Sequence, residues 1–408
     1  MVVVPIHSFC RQSFSQLLLF PYLVMRVSLL VGLFAGLSQA ATDLYTTWEV
    51  DPNCAEYGTT LANAYMSSSL MVDKALKDLE KIQKARPQPA RLTRSTIAEI
   101  RDWDRIARAV TNMFGFRPDR GGHSKTEEHM GAVLYVFERM NKALQGPNNV
   151  PERGYARSYD KPLIMCGTSE WEWIARNKPD PNDPAGRKLS ESKYELMKKP
   201  EAVEGELAPV EPPGAWVHGT RYIDNNYPAH VRICIRESTH AVTMTRWDLI
   251  TFCKPFLDGI LPNTESLVDR KNRFNIGDTL DPLLSSHIER VMIHEFAHYY
   301  GADGYGTDLD RVVHDYQAVS PEGDLVWTGA DGKGTRTKPS GDNPPKRIAY
   351  SYVRASRLAV SHTGNNAGNS GPKKATFNAE NFAYFAIMAY VDNFDWSGDG
   401  TAKEVVAD

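Results

Sequence analysis

The sequence predicts an α+β fold that is mainly helical, on three observations. Apolar residues recur at three- and four-residue spacing through Cys54–Ala85, Thr96–Met113 and Glu128–Leu144, the period of one helical face. After Gly146-Pro147 the runs become short and apolar or alternating, at Lys161–Cys166 and His230–Arg236, which is the pattern of strands. Helical spacing then returns at Ser286–Gly301, Ile348–Ala359 and Asn378–Val391, so a small sheet is flanked by helical stretches.

With 408 residues, 42% of them apolar and 24% charged, the chain is globular and long enough for one large or two medium domains. A net charge of −3 leaves no basic footprint for nucleic acid and no polybasic membrane segment. Arg26 precedes the apolar run Val27–Leu37, and Ser38-Gln39-Ala40 supplies the small residues that a signal peptidase reads. Cleavage after Ala40 and secretion are expected, with residues 1–24 an upstream extension if Met25 is the start. An uncleaved anchor is the competing reading, but the run is short for a membrane span. The mature chain keeps Cys54, Cys166, Cys234 and Cys253, an even number in an oxidising compartment, which points to two disulfides in any of three pairings. The expected organisation is a signal segment 1–40, a helical region 41–150, a catalytic region 151–395 and a C-terminal tail 396–408.

Taken in order, Cys54–Ala85 carries Leu61, Ala64, Tyr65, Leu70, Met71, Ala75, Leu76, Leu79 and Ile82 toward one side and predicts one or two amphipathic helices. Arg86-Pro87-Gln88-Pro89 ends that pattern, because proline removes a donor and restricts its predecessor. Trp103, Ile106, Val110 and Met113, then Met130, Val133, Leu134, Phe137 and Met140, mark the buried faces of the next two helices. Val231, Ile233 and Ile235 alternate with polar neighbours as a strand should, and this strand is a candidate edge for pairing with an extended peptide. Lys178–Pro213 and Ser320–Pro345 are rich in turn formers and read as loops. Asp310–Val319 reads as a short helix capped by Thr307. Asp395–Gly400 begins like a calcium loop without its closing glutamate, and reads as a frayed tail.

The chemistry lies in Ser286–Gly301. Ser286 with Glu289 forms a capping-box pattern, and Gly301 is a plausible stop that would take positive φ. His294 and His298 are four apart, so both imidazoles project from one side of the helix where a single metal ion can bridge them. Glu295 between them completes H-E-x-x-H, in which the glutamate takes a proton from metal-activated water. A catalytic zinc site needs a third protein ligand. A third histidine six residues on is excluded because Gly304 stands there, leaving Asp303, Asp308, Asp310, Asp315, His314 and Glu380 as candidates.

His294-Glu-Phe-Ala-His298, Gly306-Thr-Asp-Leu-Asp310, Ala349–Ala359 and Asn378-Ala-Glu-Asn-Phe-Ala-Tyr-Phe385 together resemble the blocks of the aspzincins, the deuterolysin and peptidyl-lysine metalloendopeptidase family of secreted zinc proteases. The resemblance implies a zincin-like fold and one Zn²⁺ held by His294, His298 and Asp310, with Asp308 and Asp315 as alternatives. It also implies Glu295 as general base and Tyr350, followed here by Ser351 where the family has glycine, as proton donor or oxyanion stabiliser. The expected function is a secreted zinc metalloendopeptidase, monomeric and acting on protein or peptide substrates, without nucleic-acid partners or stable membrane association after signal cleavage. The alternatives are a protease with Glu380 as third ligand and an inactive secreted zinc-binding effector.

Overall fold

Each long helix of the first half buries the face that its sequence periodicity marks. In a computed structural model that describes residues 43–118, 124–145, 161–198, 210–224, 233–234, 238–260, 265–285, 287–303, 312–361 and 368–407, these helices are α1 (Gly58–Ile82), α2 (Arg94–Phe114) and α3 (Ser124–Gln145). Thr93 and Thr96 close a reciprocal cap at the start of α2, satisfying donors that the first turn leaves free. Gly115 ends it at φ 75°, where a side chain would be strained and a Cβ would stand 2.4 Å from the carbonyl oxygen of Ala359. The second half supplies α4 (Ile288–Tyr300), α5 (Tyr352–Val360) and α6 (Ala379–Tyr390). Residues 379–389 of α6 are buried throughout, so this helix is enclosed by its neighbours on all sides.

The strands are β1 (Glu49–Val50), β2 (Leu163–Cys166), β3 (Glu172–Ala175), β4 (Gly214–His218), β5 (Arg221–Asp224), β6 (Ala241–Met244) and β7 (Leu249–Phe252). One sheet has the order β1-β2-β7-β6, parallel across its first three strands and closed by β6 running antiparallel along the edge. β3, β4 and β5 form a second, antiparallel sheet. The fold is therefore α+β and mainly helical.

Thr42–Asp408 form one compact unit, and the helical first half shares its core with the second. Phe114 and Phe137, from α2 and α3, meet Phe382 and Phe385 of α6 at centroid separations of 5.3–5.7 Å, pairs worth about 0.5–1.5 kcal/mol each beyond their burial. Phe296 of α4 lies between Trp48 and Tyr65. The cysteines pair as Cys54–Cys166 and Cys234–Cys253. The first bridge spans 112 residues and ties the segment before α1 to the end of β2; closing a loop of that size restricts the unfolded chain by about 4.7 kcal/mol in the chain-entropy account. Among the described residues no helix is long and apolar enough to cross a membrane. The signal segment 1–40 lies outside the described residues.

Several local expectations are corrected. His287, not Ser286, is the N-cap of α4; Ser286 lies outside the described residues, and the buried Glu289 carboxylate accepts instead from the Leu267 N–H, where the neighbouring helix Leu267–Arg270 begins. Ile233 is buried but lies in no strand, and Cys234 beside it has φ 52°; the sheet edge next to α4 is β6. The span 178–213 contains two one-turn helices, Leu189–Ser192 and Tyr194–Met197, and 320–345 contains a hairpin of β8 (Trp327–Thr328) and β9 (Gly334–Thr335). The tail is not frayed: Trp396 is buried, and Asp395 bridges Lys403 as Thr401 bridges Thr279.

The expected helix Asp310–Val319 is also absent over its described part, residues 312–319, which runs extended and makes single bridges from His314 to Asn378 and Gln317 to Ile348. Thr307 and Asp310 lie outside the described residues. Gly301 explains part of this path. It ends α4 at φ −96°, so positive φ is not its role; a Cβ there would stand 2.4 Å from Val313 and 2.7 Å from the Ala297 carbonyl. Its lack of a side chain lets Val313 cross the helix end and donate to the Gly301 carbonyl at 3.1 Å. Gly301→Ala is therefore expected to cost about 1–3 kcal/mol in urea denaturation, the range for overfilling a packed site.

Candidate metal centre

α4, which carries His294 and His298 one turn apart, packs against α1, α3 and α6 and lies beside the edge strand β6. His294 Nε2 and His298 Nε2 are 3.2 Å apart. Asp315 Oδ1, carried in by the extended segment that crosses Gly301, lies 3.3 Å from each of them. Three ligand atoms about 2.0–2.1 Å from one tetrahedral zinc ion stand about 3.3 Å from one another, so the donor set and its spacing both fit zinc. Among the described residues these three form the single group of histidine, cysteine or acidic side chains with metal-holding geometry.

The other nitrogen of each imidazole is engaged away from that triangle. His298 Nδ1 lies 3.0 Å from the Val313 carbonyl oxygen, which requires a proton on Nδ1 and leaves Nε2 as the atom that could ligate a metal. His294 Nδ1 lies 2.9 Å from Glu380 Oε2, with the same consequence. Glu380 is fully buried, and its other oxygen accepts from Arg290 Nη1 at 2.7 Å. Arg290 also donates to the Leu284 carbonyl, so α4 and α6 hold the imidazole through one chain of hydrogen bonds. Partners of this kind orient a metal-binding histidine and fix its tautomer. Both oxygens of Glu380 are thus committed on the far side of His294 from Asp315, which does not suit it as third ligand.

Electrostatics agree with the geometry. Burial alone would lower the pKa of His294, but Asp315 and Glu380 on its two sides outweigh it and raise it to about 10. His298 is raised in the same way, against burial, chiefly by Asp315. Burial works to raise Asp315, yet the imidazoles hold it well below the usual carboxylate range. Without a metal the arrangement favours the charged form of the imidazoles beside Asp315, and a dication would meet the same demand for positive charge.

Glu295 stands beside the triangle without joining it. Thr243 Oγ1 of edge strand β6 donates to Glu295 Oε2 at 2.6 Å, and among the described residues no group bonds Oε1. Tyr350 Oη donates to Asp315 Oδ2 at 2.6 Å and its ring meets His294 edge-on at 5.6 Å. Burial and then Asp315 raise the Tyr350 phenol, so it stays protonated. Glu295, His298, Asp315, Tyr350, Val242 and Thr243 line a cleft of about 420 Å³.

Of the residues singled out in the sequence, His294, Glu295, His298, Asp315 and Tyr350 come together. Asp308 and Asp310 lie outside the described residues. Thr243, Arg290 and the supporting role of Glu380 carry no local sequence signal. Comparison with family models, curated proteins and solved structures gives no match.

Proposed function

We propose that this protein is a zinc-dependent endopeptidase of zincin type, exported and acting on polypeptides that lie along β6. The observation that carries the reading is the near-equilateral triangle of His294, His298 and Asp315 with an uncommitted glutamate oxygen next to it. Zinc bound by those three atoms would acidify a water molecule and polarise the scissile carbonyl. Glu295 Oε1 accepts the proton, while Thr243 holds Oε2 and so fixes the plane of the carboxylate. The same oxygen then delivers the proton to the leaving amine. Tyr350 restrains Asp315 through Oδ2, and as a neutral phenol 46% exposed at the cleft it would donate to a developing oxyanion by turning its one proton away from Asp315. β6 is an edge strand whose free side faces the cleft, which suits an extended peptide.

Two further features favour the aspzincin kinship. The third ligand is an aspartate beyond the helix, and Ser351, where that family has glycine, sits at φ 154°, a conformation that glycine adopts most readily. The disulfides support an extracellular setting.

Stripping the protein with a chelator and restoring zinc tests the reading: one zinc per chain and recovered cleavage of unfolded casein are expected. A chain that binds zinc stoichiometrically yet cleaves nothing in a peptide library sinks the enzymatic half. The raised pKa of His294 adds a pH dependence. Its proton must leave before Nε2 can ligate, so zinc uptake at pH 7 releases protons, and apparent affinity climbs about tenfold per pH unit for each proton displaced, up to about pH 10. Calorimetry in buffers of different ionisation enthalpy measures that release; uptake without protons contradicts the histidine assignment.

A further inference from the structure

A second cavity, of about 420 Å³, is lined by four arginines, Arg336, Arg347, Arg354 and Arg357, and by a single acid, Glu322. In a chain of net charge −3 that concentration of one sign needs a reason. Arg336 at the rim is neutralised by Glu322 and Asp324. The other three are half-buried, and among the described residues none of them is paired with a carboxylate. Arg347 donates to the Gly332 carbonyl and Arg354 to the Tyr350 carbonyl at 3.0 Å. The Arg357 guanidinium, one turn after Arg354 on α5, makes no hydrogen bond within the described residues, and its charge helps to lower the Glu322 carboxyl across the cavity. Burial, then Arg347 and Arg357, pull the Arg354 guanidinium down and outweigh Asp281, which raises it, the mark of like charges gathered with too little counter-charge. Arginines left in this state offer fixed planar donors matched to an oxyanion.

Position relates this cavity to the cleft. The carbonyl that Arg354 holds belongs to Tyr350, whose side chain lines the cleft. Ala318, in the cavity wall, follows Asp315 by three residues of extended chain, a reach of roughly 10 Å, or three residues of a bound peptide. We propose that the Arg347–Arg354–Arg357 cavity is an oxyanion site that takes the carboxylate of an acidic side chain on a polypeptide lying in the cleft. The anion site stands on its own residues; the assignment of its ligand rests on the peptidase reading.

The test is equilibrium binding of a fluorescent peptide carrying several glutamates, against its glutamine counterpart, to the full chain. Wild type is expected to bind the glutamate peptide about tenfold or more tighter, a difference that fades at high salt, and to lose that advantage in Arg357→Gln. The Arg357 guanidinium makes no hydrogen bond within the described residues and the backbone bond of Arg357 to Ser361 is kept, so the variant should fold as wild type does; Arg354→Gln provides a second reading. Inorganic phosphate should compete with the glutamate peptide. Equal binding of the two peptides, or an advantage that survives both variants, overturns the proposal. Phosphate binding that Arg357→Gln abolishes, without preference for glutamate, also overturns the substrate assignment. Binding is read without turnover, so selective binding by a chain that cleaves nothing would count against the peptidase reading and leave the anion site standing.

Discussion

Asp315→Ala is expected to release zinc from the protein under dialysis conditions in which wild type retains one equivalent. Removing Oδ1 leaves two imidazoles at the corner of a site that needs three protein atoms. It also removes the acceptor for Tyr350 and the carboxylate chiefly responsible for raising both histidines. Glu380→Gln is the informative contrast. It keeps the size of the side chain and an acceptor for His294 Nδ1, but weakens the bond and the tie to Arg290. Loss of such an outer partner costs about 10- to 100-fold in metal affinity, and loss of a ligand should exceed that. Competition with a graded series of chelators ranks the variants. If Asp315→Ala keeps its zinc while Glu380→Gln loses it, the triangle of Asp315 with the two imidazoles is not the binding site.

How much of this was legible beforehand follows from the range of each interaction. The helices α1 to α6 could be read because their burial pattern is local and periodic, as with Val133, Phe137 and Met140 along α3. His294, Glu295 and His298 could be read because one helix fixes their relation within two turns. Asp315 could be named only as one of several acids, because its approach depends on the chain crossing a side-chain-free Gly301 and pairing with Asn378, contacts made at a distance in sequence. The same residues misled the reading of 310–319 as a helix, since polar caps and scattered valines do not reveal bridges to remote partners. Thr243 and Arg290 were invisible for a related reason. A threonine on a strand and an arginine on a helix are ordinary until the fold brings Glu295 and Glu380 to them.

Glu295→Gln separates the proton-transfer step from the binding of metal. Glu295 is not among the three ligating atoms, so zinc content should stay at one per chain. The amide oxygen of glutamine still accepts from Thr243 Oγ1, which keeps the side chain in its rotamer and the edge of β6 in place. What disappears is an oxygen able to take a proton and return it to the leaving amine. General acid–base groups contribute about 10²- to 10⁴-fold, and the variant should lose that much in kcat with little change in KM, since in the proposed reading β6 and the cleft walls would hold the peptide. Thermal unfolding of the zinc-loaded variant should match wild type, which distinguishes lost chemistry from lost structure. Cleavage of casein at the wild-type rate by a zinc-replete Glu295→Gln protein would remove Glu295 from the mechanism. The reactive proton would then need another acceptor among the cleft residues, of which His314 is the nearest in sequence to Asp315.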